Sequence, residues 1–521
     1  MNPYLLALPF AAAIVDAATR RGYAAVAASA ALLALTGLSN PLVFLLNSLY
    51  LIISIYSLWY IDVEKRGWYW GWMDAFYGSM LAFLASDNWL VVAAGWGGLD
   101  AASWALILTH EEHEDRGWVG DGARRAGITW LWRPSDSALR AMATVELGTA
   151  ALLIGLAQGA SLYGPNIGEW GVLPPLAAAA VMLAAFVKSA QLPFTDWLMT
   201  AMSAPTPVSA LLHSATMVAA GPILLLRLSP ALAPYWPYAT AVGLATALYG
   251  GVVALWQREP KVVLASSTAS YLGLATALAV ESPAAAAALV MAHGYSKAAL
   301  FMAVGEGIHE QGTRTPSGYS PLAKAAIAVA LANLLGFMPL GGLAKSQMPL
   351  WAEVFSALTF GYVVGKLLLA KTEGRPSPLS ALALVASLMS LYPLSYRFDP
   401  LWLLALAGAV LVKPPHVEAL ARRLYLPVAF AEVGSAAASA FRSFGLGDSA
   451  VDSALWSIPR GFLAAARAVA RADFAVDSAF HSSVPSAVMA ASKRISSIAV
   501  ETYLYAVGAA ALAVVVALFL L

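Results

Sequence analysis

Residues 198–226 read LMTAMSAPTPVSALLHSATMVAAGPILLL, a run without a single Asp, Glu, Lys or Arg. About 20 apolar residues suffice for a helix to cross a hydrocarbon layer of ~30 Å. Five more charge-free runs are long enough, Gly22–Ile61, Leu228–Gln257, Ala325–Ala344, Pro376–Tyr396 and Thr502–Leu521. The 521-residue chain is 60% hydrophobic and only 11% charged, against about 25% charged in an ordinary soluble domain. These runs specify an all-α polytopic membrane protein. They exclude a soluble enzyme, a nucleic-acid binder and a secreted scaffold. A membrane β-barrel is excluded as well, because its strands alternate apolar and polar residues.

The chain has no cysteine, so it offers no disulfide, thiolate metal site, iron–sulfur ligation or cysteine nucleophile. No cofactor is expected on this chain, and any redox centre would belong to another subunit. His110 and His113 stand among Glu111, Glu112 and Glu114, which reads as a solvated acidic loop rather than a metal site. The formal net charge of +1 identifies no partner. Met1–Val15 is apolar without a basic start, unlike a cleavable signal, and is read as a retained first crossing.

Apolar segments predict about sixteen crossings, near 3–16, 22–37, 41–61, 72–87, 88–109, 138–160, 171–200, 204–229, 236–257, 261–280, 283–308, 321–356, 357–371, 377–396, 400–413 and 502–521. Basic residues gather after the odd-numbered ones: Arg20 and Arg21, Lys65 and Arg66, Arg124 and Arg125, Arg258 and Lys261, Arg314 and Lys324, Lys371 and Arg375. Arg227 and Arg397 are the main exceptions. By the positive-inside rule the odd loops are cytoplasmic and the N-terminus lies outside a cell membrane. The expected organisation is N-terminal helices over 1–70, a first repeat over 71–229 and a second over 230–371. Further helices over 372–413, a charged connection over 414–501 and a last crossing over 502–521 complete it. Within that connection, Arg460, Arg467 and Arg471 share one helical face opposite Phe462, Val469 and Val476. Such a helix suits the membrane surface or neighbouring subunits.

An ionisable residue inside a crossing is costly and therefore a functional candidate. Asp100, Glu146, Lys188, His213, His293, Lys297, Lys345 and Lys366 all fall there. A desolvated lysine can exchange protons near neutral pH, so lysines alternating with His and acids predict a proton relay. His293 and Lys297 share a helix face at i,i+4, close enough for transfer directly or through one water. Lys188-Ser-Ala-Gln-Leu-Pro193 and Lys345-Ser-Gln-Met-Pro349 echo each other. Five predicted crossings separate them, an odd number, so the two five-helix repeats are inverted. Pro193, Pro205, Pro207 and Pro349, with Gly341 and Gly342, break the helices there. Inverted repeats with broken helices at matching places mark a transport site near the midplane. Glu306 is expected on the far side of its helix, near the end, and outside the relay.

These same residues carry a family resemblance. Lys188-Ser-Ala-Gln-Leu-Pro-Phe and Ala204-Pro-Thr-Pro-Val-Ser-Ala-Leu-Leu-His213-Ser-Ala-Thr-Met resemble the signature of the antiporter-like membrane subunits. That family comprises the large proton-translocating subunits of complex I, their relatives in membrane-bound hydrogenases, and Mrp-type sodium/proton antiporter subunits. Lys261-Val-Val-Leu-Ala-Ser-Ser-Thr, Ala292-His293-Gly-Tyr-Ser-Lys297, Gly342-Leu-Ala-Lys345-Ser and Tyr56-Ser-Leu-Trp-Tyr60 extend the likeness. The resemblance implies that Lys188, with His213 beside it, serves a first half-channel. His293 and Lys297 would form the central link, Lys261 would open the tenth crossing, and Lys345 would end the second half-channel.

Two departures stand out. The family's Gly-Trp-Glu is here Gly95-Trp96-Gly97, and Asp100 follows one turn later, about 60° round the helix. Three readings stay open: Asp100 replaces the acid, Glu146 supplies the missing negative charge, or the pair is lost. Beyond Lys345 the family tends to place an acid, but this chain has Ser346 and Gln347. The expected function is a proton-translocating subunit of a redox-driven membrane complex. The alternatives are an Mrp-type cation/proton antiporter subunit, or a channel-degenerate partner in an inorganic-carbon uptake complex. Partners would be other membrane subunits contacted by 414–501, the lipid bilayer, and protons or Na+, with no nucleic acid.

Overall fold

The computed structural model describes residues 3–62, 65–109, 133–214, 216–257, 259–335 and 348–391, with the backbone of 124–125 and 128–129. Among the described residues the architecture is helical, apart from two-residue strand pairings. The N-terminal part is α1 (Pro3–Thr19), α2 (Tyr23–Thr36), α3 (Pro41–Tyr60), α4 (Arg66–Ala85) and α5 (Trp89–Leu108). Asp16 near the end of α1 accepts the Ala24 amide at 3.1 Å and the Ala25 amide at 2.6 Å. Those N–H groups belong to the first turn of α2, which has no internal acceptor for them. Asn40 caps α3 by accepting from the Leu42 and Val43 amides, and Pro41 follows as the first helical residue.

Helix α6 (Pro134–Tyr163) is 30 residues long, which is about 45 Å. The next apolar stretch does not run straight. Helix α7 (Pro175–Lys188) stops at Lys188, and α8 (Asp196–Thr200) resumes after a short irregular segment. Pro193 has no amide hydrogen, and it disfavours a helical Leu192. Ala190 takes a left-handed φ of 50°, and the Leu192–Pro193 peptide is cis. Buried backbone freed by such a break must find other partners. The Leu192 amide donates to Thr246 Oγ1 at 2.9 Å, Gln191 Nε2 to the Ser189 carbonyl at 2.9 Å, and Trp197 Nε1 to the Val187 carbonyl at 3.0 Å. Helix α9 (Thr206–His213) begins after Pro205, with Pro207 in its first turn. A second break separates it from α10 (Ala220–Arg227). The turn α11 (Ser229–Leu232) leads on to α12 (Trp236–Trp256), α13 (Pro260–Leu278), α14 (Pro283–Gln311), α15 (Pro321–Leu334), α16 (Leu350–Leu368) and α17 (Pro378–Leu388).

Small residues let these helices approach closely, as membrane interfaces require. A Cβ on Gly243 of α12 would lie 2.4 Å from the Gly273 carbonyl oxygen, and one on Gly273 of α13 would lie 2.5 Å from that of Gly243. Helix α14 is the hub, packed by α3, α9, α10, α13, α15 and α17. Among the described residues five helical spans are long and apolar enough to cross a membrane: Pro41–Tyr60, Trp89–Leu108, Pro134–Tyr163, Ser229–Leu255 and Pro283–Gln311.

Most expected crossings coincide with helices, but the boundary between 356 and 357 does not exist. One continuous α16 runs across it, and Pro349 caps that helix rather than lying inside an overlong one. Arg227 was an outlier in the charge pattern for a structural reason. It donates to the carbonyls of Phe83 and Ser86 and to Asp87 Oδ1, fastening α10 to the end of α4. Lys345, Gly341, Gly342, Ser346, Gln347, the 110–123 acidic stretch and everything from 392 onward lie outside the described residues. The expected 400–413 and 502–521 crossings and the 414–501 lateral helix fall in that group.

Candidate functional site

Lys188 occupies the last position of α7, where the helix breaks, and its side chain is 1% exposed. Its Nζ donates to Asp100 Oδ1 and, at 2.9 Å, to the Trp96 carbonyl. The ammonium also stands 4.4 Å from the centroid of the Trp96 ring, within cation–π range. Thr149 Oγ1 of α6 donates to the other carboxylate oxygen of Asp100 at 2.5 Å. Three helices thus build one ion pair: α5 supplies the acid, α7 the base and α6 the hydroxyl. Gly221 lets α10 pack closely on the end of α7, since a Cβ there would lie 2.3 Å from the Ala185 carbonyl oxygen.

The acid beside Lys188 is therefore Asp100, although it stands one turn beyond Gly97. A Cβ on Gly97 would meet nothing within 4 Å, so packing does not exclude a larger residue there. Glu146 turns outward, on the exposed face of α6 with Leu139, Leu147 and Ile154. It stays within electrostatic reach of Asp100 and Lys188, but it does not take the pairing position.

A second cluster surrounds α14. Lys297 is fully buried and donates to the Leu264 carbonyl of α13 at 2.9 Å and to Ser267 Oγ at 2.5 Å. His293 Nδ1 lies 3.2 Å from the Ser214 carbonyl oxygen, at the break after α9. Its ring stacks on Tyr271, centroids 5.4 Å apart, and its Nε2 has no protein partner. His293 and Lys297 share a face but form no direct hydrogen bond. His213 packs on Phe301, with ring centroids 4.7 Å apart. It lies in the field of Lys297, His293 and Lys261, so it groups with the central helix rather than with Lys188. Lys261 donates to the Ala204 carbonyl, just ahead of Pro205.

Among the described residues, buried polar atoms without a hydrogen-bond partner occur in both regions: Gln191 Oε1 and Thr195 Oγ1 at the break after α7, and both nitrogens of His213, His293 Nε2 and Tyr271 OH around α14. Buried polar groups are normally hydrogen-bonded to protein or to ordered water, and a site this polar suits water. The arrangement can pass protons wherever water bridges those atoms.

One placement differs from expectation, that of Lys366, and two buried acids stand apart from the relay residues. Lys366 is exposed near the end of α16, where its Nζ donates to the Gln257 carbonyl at 3.0 Å. Glu306 is fully buried on α14 and accepts from Ser320 Oγ at 2.7 Å and Ser377 Oγ at 2.5 Å. Asp74 of α4 is fully buried, and sequence reasoning passed over it. An acid inside the aromatic run Trp68–Tyr77 was the available signal.

Comparison with known proteins places these features in a family. Residues 146–365 match the family described as NADH:quinone oxidoreductase/Mrp antiporter, TM. The chain is 32% identical over 358 residues to NADH-quinone oxidoreductase subunit L of Mycobacterium tuberculosis, covering 64% of this chain and 52% of that protein. It is 30% identical over 370 residues to an Na(+)/H(+) antiporter subunit of Alkalihalophilus pseudofirmus, covering 63% of this chain and 44% of that one. The chain thus spans about half the length of these curated relatives. Its fold resembles a chain in the structure of the Mrp complex from Dietzia sp. DQ12-45-1b, with TM-score 0.66, 23% identity, and coverage of 90% of this chain and 63% of that one. Through its central region, residues 146–365, the chain is similar to the NADH:quinone oxidoreductase/Mrp antiporter family.

Proposed function

We propose that this chain is a proton-translocating, antiporter-like subunit of a redox-driven membrane complex. The carrying observation is the buried Lys188–Asp100 pair at a helix break. Beside it we set the unsatisfied polar atoms of Gln191, Thr195, His213 and His293 and the buried Lys297. Separating the pair frees a charged lysine in a dry site, and reforming it holds the proton again. Each step changes the affinity of Lys188 for its proton, because an opposite charge within ~4–6 Å favours the charged form. The proton then moves through water at the breaks to the two histidines and Lys297, and onward toward Lys345. Lys261 tunes the His213 end of that route, and Glu146 adds negative charge on the outer side of α6.

The rest of the proposed architecture follows the sequence pattern. It comprises about sixteen crossings, inverted repeats over 71–229 and 230–371, an outside N-terminus and a 414–501 segment lying along neighbouring subunits. A second reading, cation/proton exchange of Mrp type, is favoured by the likeness to an Na(+)/H(+) antiporter subunit. The test is purification of the full chain in mild detergent with whatever subunits accompany it, followed by proton uptake in vesicles. Lys188→Ala should abolish uptake; wild-type rates in both Lys188→Ala and Asp100→Asn would sink the relay. Co-purifying iron–sulfur or hydrogenase subunits select the redox-driven reading. Small membrane subunits alone select exchange, and a soluble zinc enzyme selects the inorganic-carbon partner.

A further inference from the structure

Asp74 lies outside the Lys188–Lys297 route and has no part in the function proposed above. It stands in the aromatic stretch WYWGWMDAFY, residues 68–77, with its side chain fully buried. Its Oδ1 accepts the Tyr50 hydroxyl at 2.7 Å, while its Oδ2 meets no donor. The Tyr50 and Tyr77 rings stack beside it with centroids 4.1 Å apart and planes at 6°. The other phenols nearby are engaged elsewhere: Tyr77 donates to Asn47 Oδ1 at 2.7 Å, and Tyr69 donates to Ser57 Oγ at 2.8 Å.

The elements packed on α4 are α1, α3 and α5, and they bring no neutralising charge. From α1 comes Asp16, another acid, already held by the Ala24 and Ala25 amides. From α3 comes Tyr50, and on α5 Asp100 is turned to Lys188. Among the described residues no Lys, Arg or His pairs with Asp74. An ionised Asp74 would keep one hydrogen bond, face a second acid and lack a counterion. A buried ion without a partner pays a heavy desolvation penalty, and a neutral acid avoids most of it.

We propose that Asp74 is a separate proton-binding site of this chain, a neutral carboxylic acid whose carbonyl oxygen accepts the Tyr50 hydroxyl. The proton resides on Oδ2, and its release leaves a carboxylate that Tyr50 continues to hold. Helix α3 joins this site to α14. Two turns of α3 carry Ser48, bonded to Tyr295 OH at 2.9 Å, and Tyr56, which donates to the Met302 carbonyl at 3.0 Å. Tyr295 lies between His293 and Lys297. The proton site stands on its own geometry; only its use in transport rests on the function proposed above.

Infrared spectroscopy of the full chain with its accompanying subunits, at neutral pH, tests this directly. A carboxylic-acid C=O band that shifts in D2O should be present, be lost in Asp74→Asn, and persist in Asp100→Asn. Asn is isosteric and still accepts from Tyr50, so the fold is preserved. Tyr50→Phe removes the hydrogen bond to the carbonyl and should move the same band to higher frequency. An identical band in wild type and Asp74→Asn would overturn the proposal. So would a band that added Na+ abolishes, which would make this a cation site. Uptake that survives Lys188→Ala would strike the relay and leave this result standing.

Discussion

Lys188 and Lys297 are both buried lysines in a membrane interior, yet the structure holds them by different means. Lys188 faces a carboxylate that is itself anchored by Thr149. Lys297 faces a carbonyl and a hydroxyl, with no acid bonded to it among the described residues. An ion pair fixes the charge of its lysine until the acid moves. Two neutral acceptors are served equally by an ammonium or an amine, because each retains N–H donors. In the proposed relay this difference gives the two lysines different parts: Lys188 would be the charge-controlled end, and Lys297 a station able to gain or lose its proton without a partner having to leave. At the break after α9, the Ser214 carbonyl lies 3.2 Å from His293 Nδ1, which joins that break to the helix carrying Lys297.

The largest expected effect breaks the paired end. Lys188→Ala leaves Asp100 buried with Thr149 alone, and losing one partner of a buried pair costs about 3–5 kcal/mol. Thermal unfolding in detergent should show that loss. The double variant Lys188→Met/Asp100→Leu should recover most of it, since an apolar replacement of both partners is often neutral. If the double variant is as unstable as the two singles combined, the pair is not the unit described.

Next is the unpaired end. Lys297→Met abandons only neutral acceptors, so unfolding should shift by about 1–3 kcal/mol while proton uptake falls as far as in Lys188→Ala. Thr149→Val removes one hydrogen bond to a charged group, worth about 1.5–3 kcal/mol. It should slow uptake without abolishing it, as measured by vesicle acidification. The smallest effect is expected at Lys366, which is exposed near a helix end. Lys366→Gln should stay within about 0.5 kcal/mol of wild type with unchanged uptake, and any loss there would extend the route beyond the two clusters.

Much of this comparison was legible in the sequence, because charge inside an apolar run is conspicuous. Lys188, Asp100, His293 and Lys297 announced themselves that way, and the proline after Lys188 marked the break. What a helical wheel lacks is the identity of whatever covers each face. Glu306 looked peripheral by position, but Ser320 and Ser377 reach across from the connections around α15 and α17 and enclose it. Glu146 looked interior, but α6 presents that side outward. His213 follows Lys188 closely in sequence, yet the break after α9 turns it toward Phe301 on α14. Asp74 was hidden in an aromatic run, and its partner, the Tyr50 hydroxyl, meets it only because α3 packs on α4. Helix ends were less readable where no charge punctuates the chain, as in the continuous α16.

The central claim is that an acid facing Lys188 controls proton movement, whichever turn of α5 provides it. Gly97 lies one turn before Asp100 with open space at its Cβ, so the acid can be relocated. The decisive measurement is proton uptake by vesicles containing the full chain and its accompanying subunits, compared for Asp100→Asn and for Gly97→Glu/Asp100→Asn. Uptake should be lost in the first and partly restored in the second. Wild-type uptake in Asp100→Asn would contradict the account.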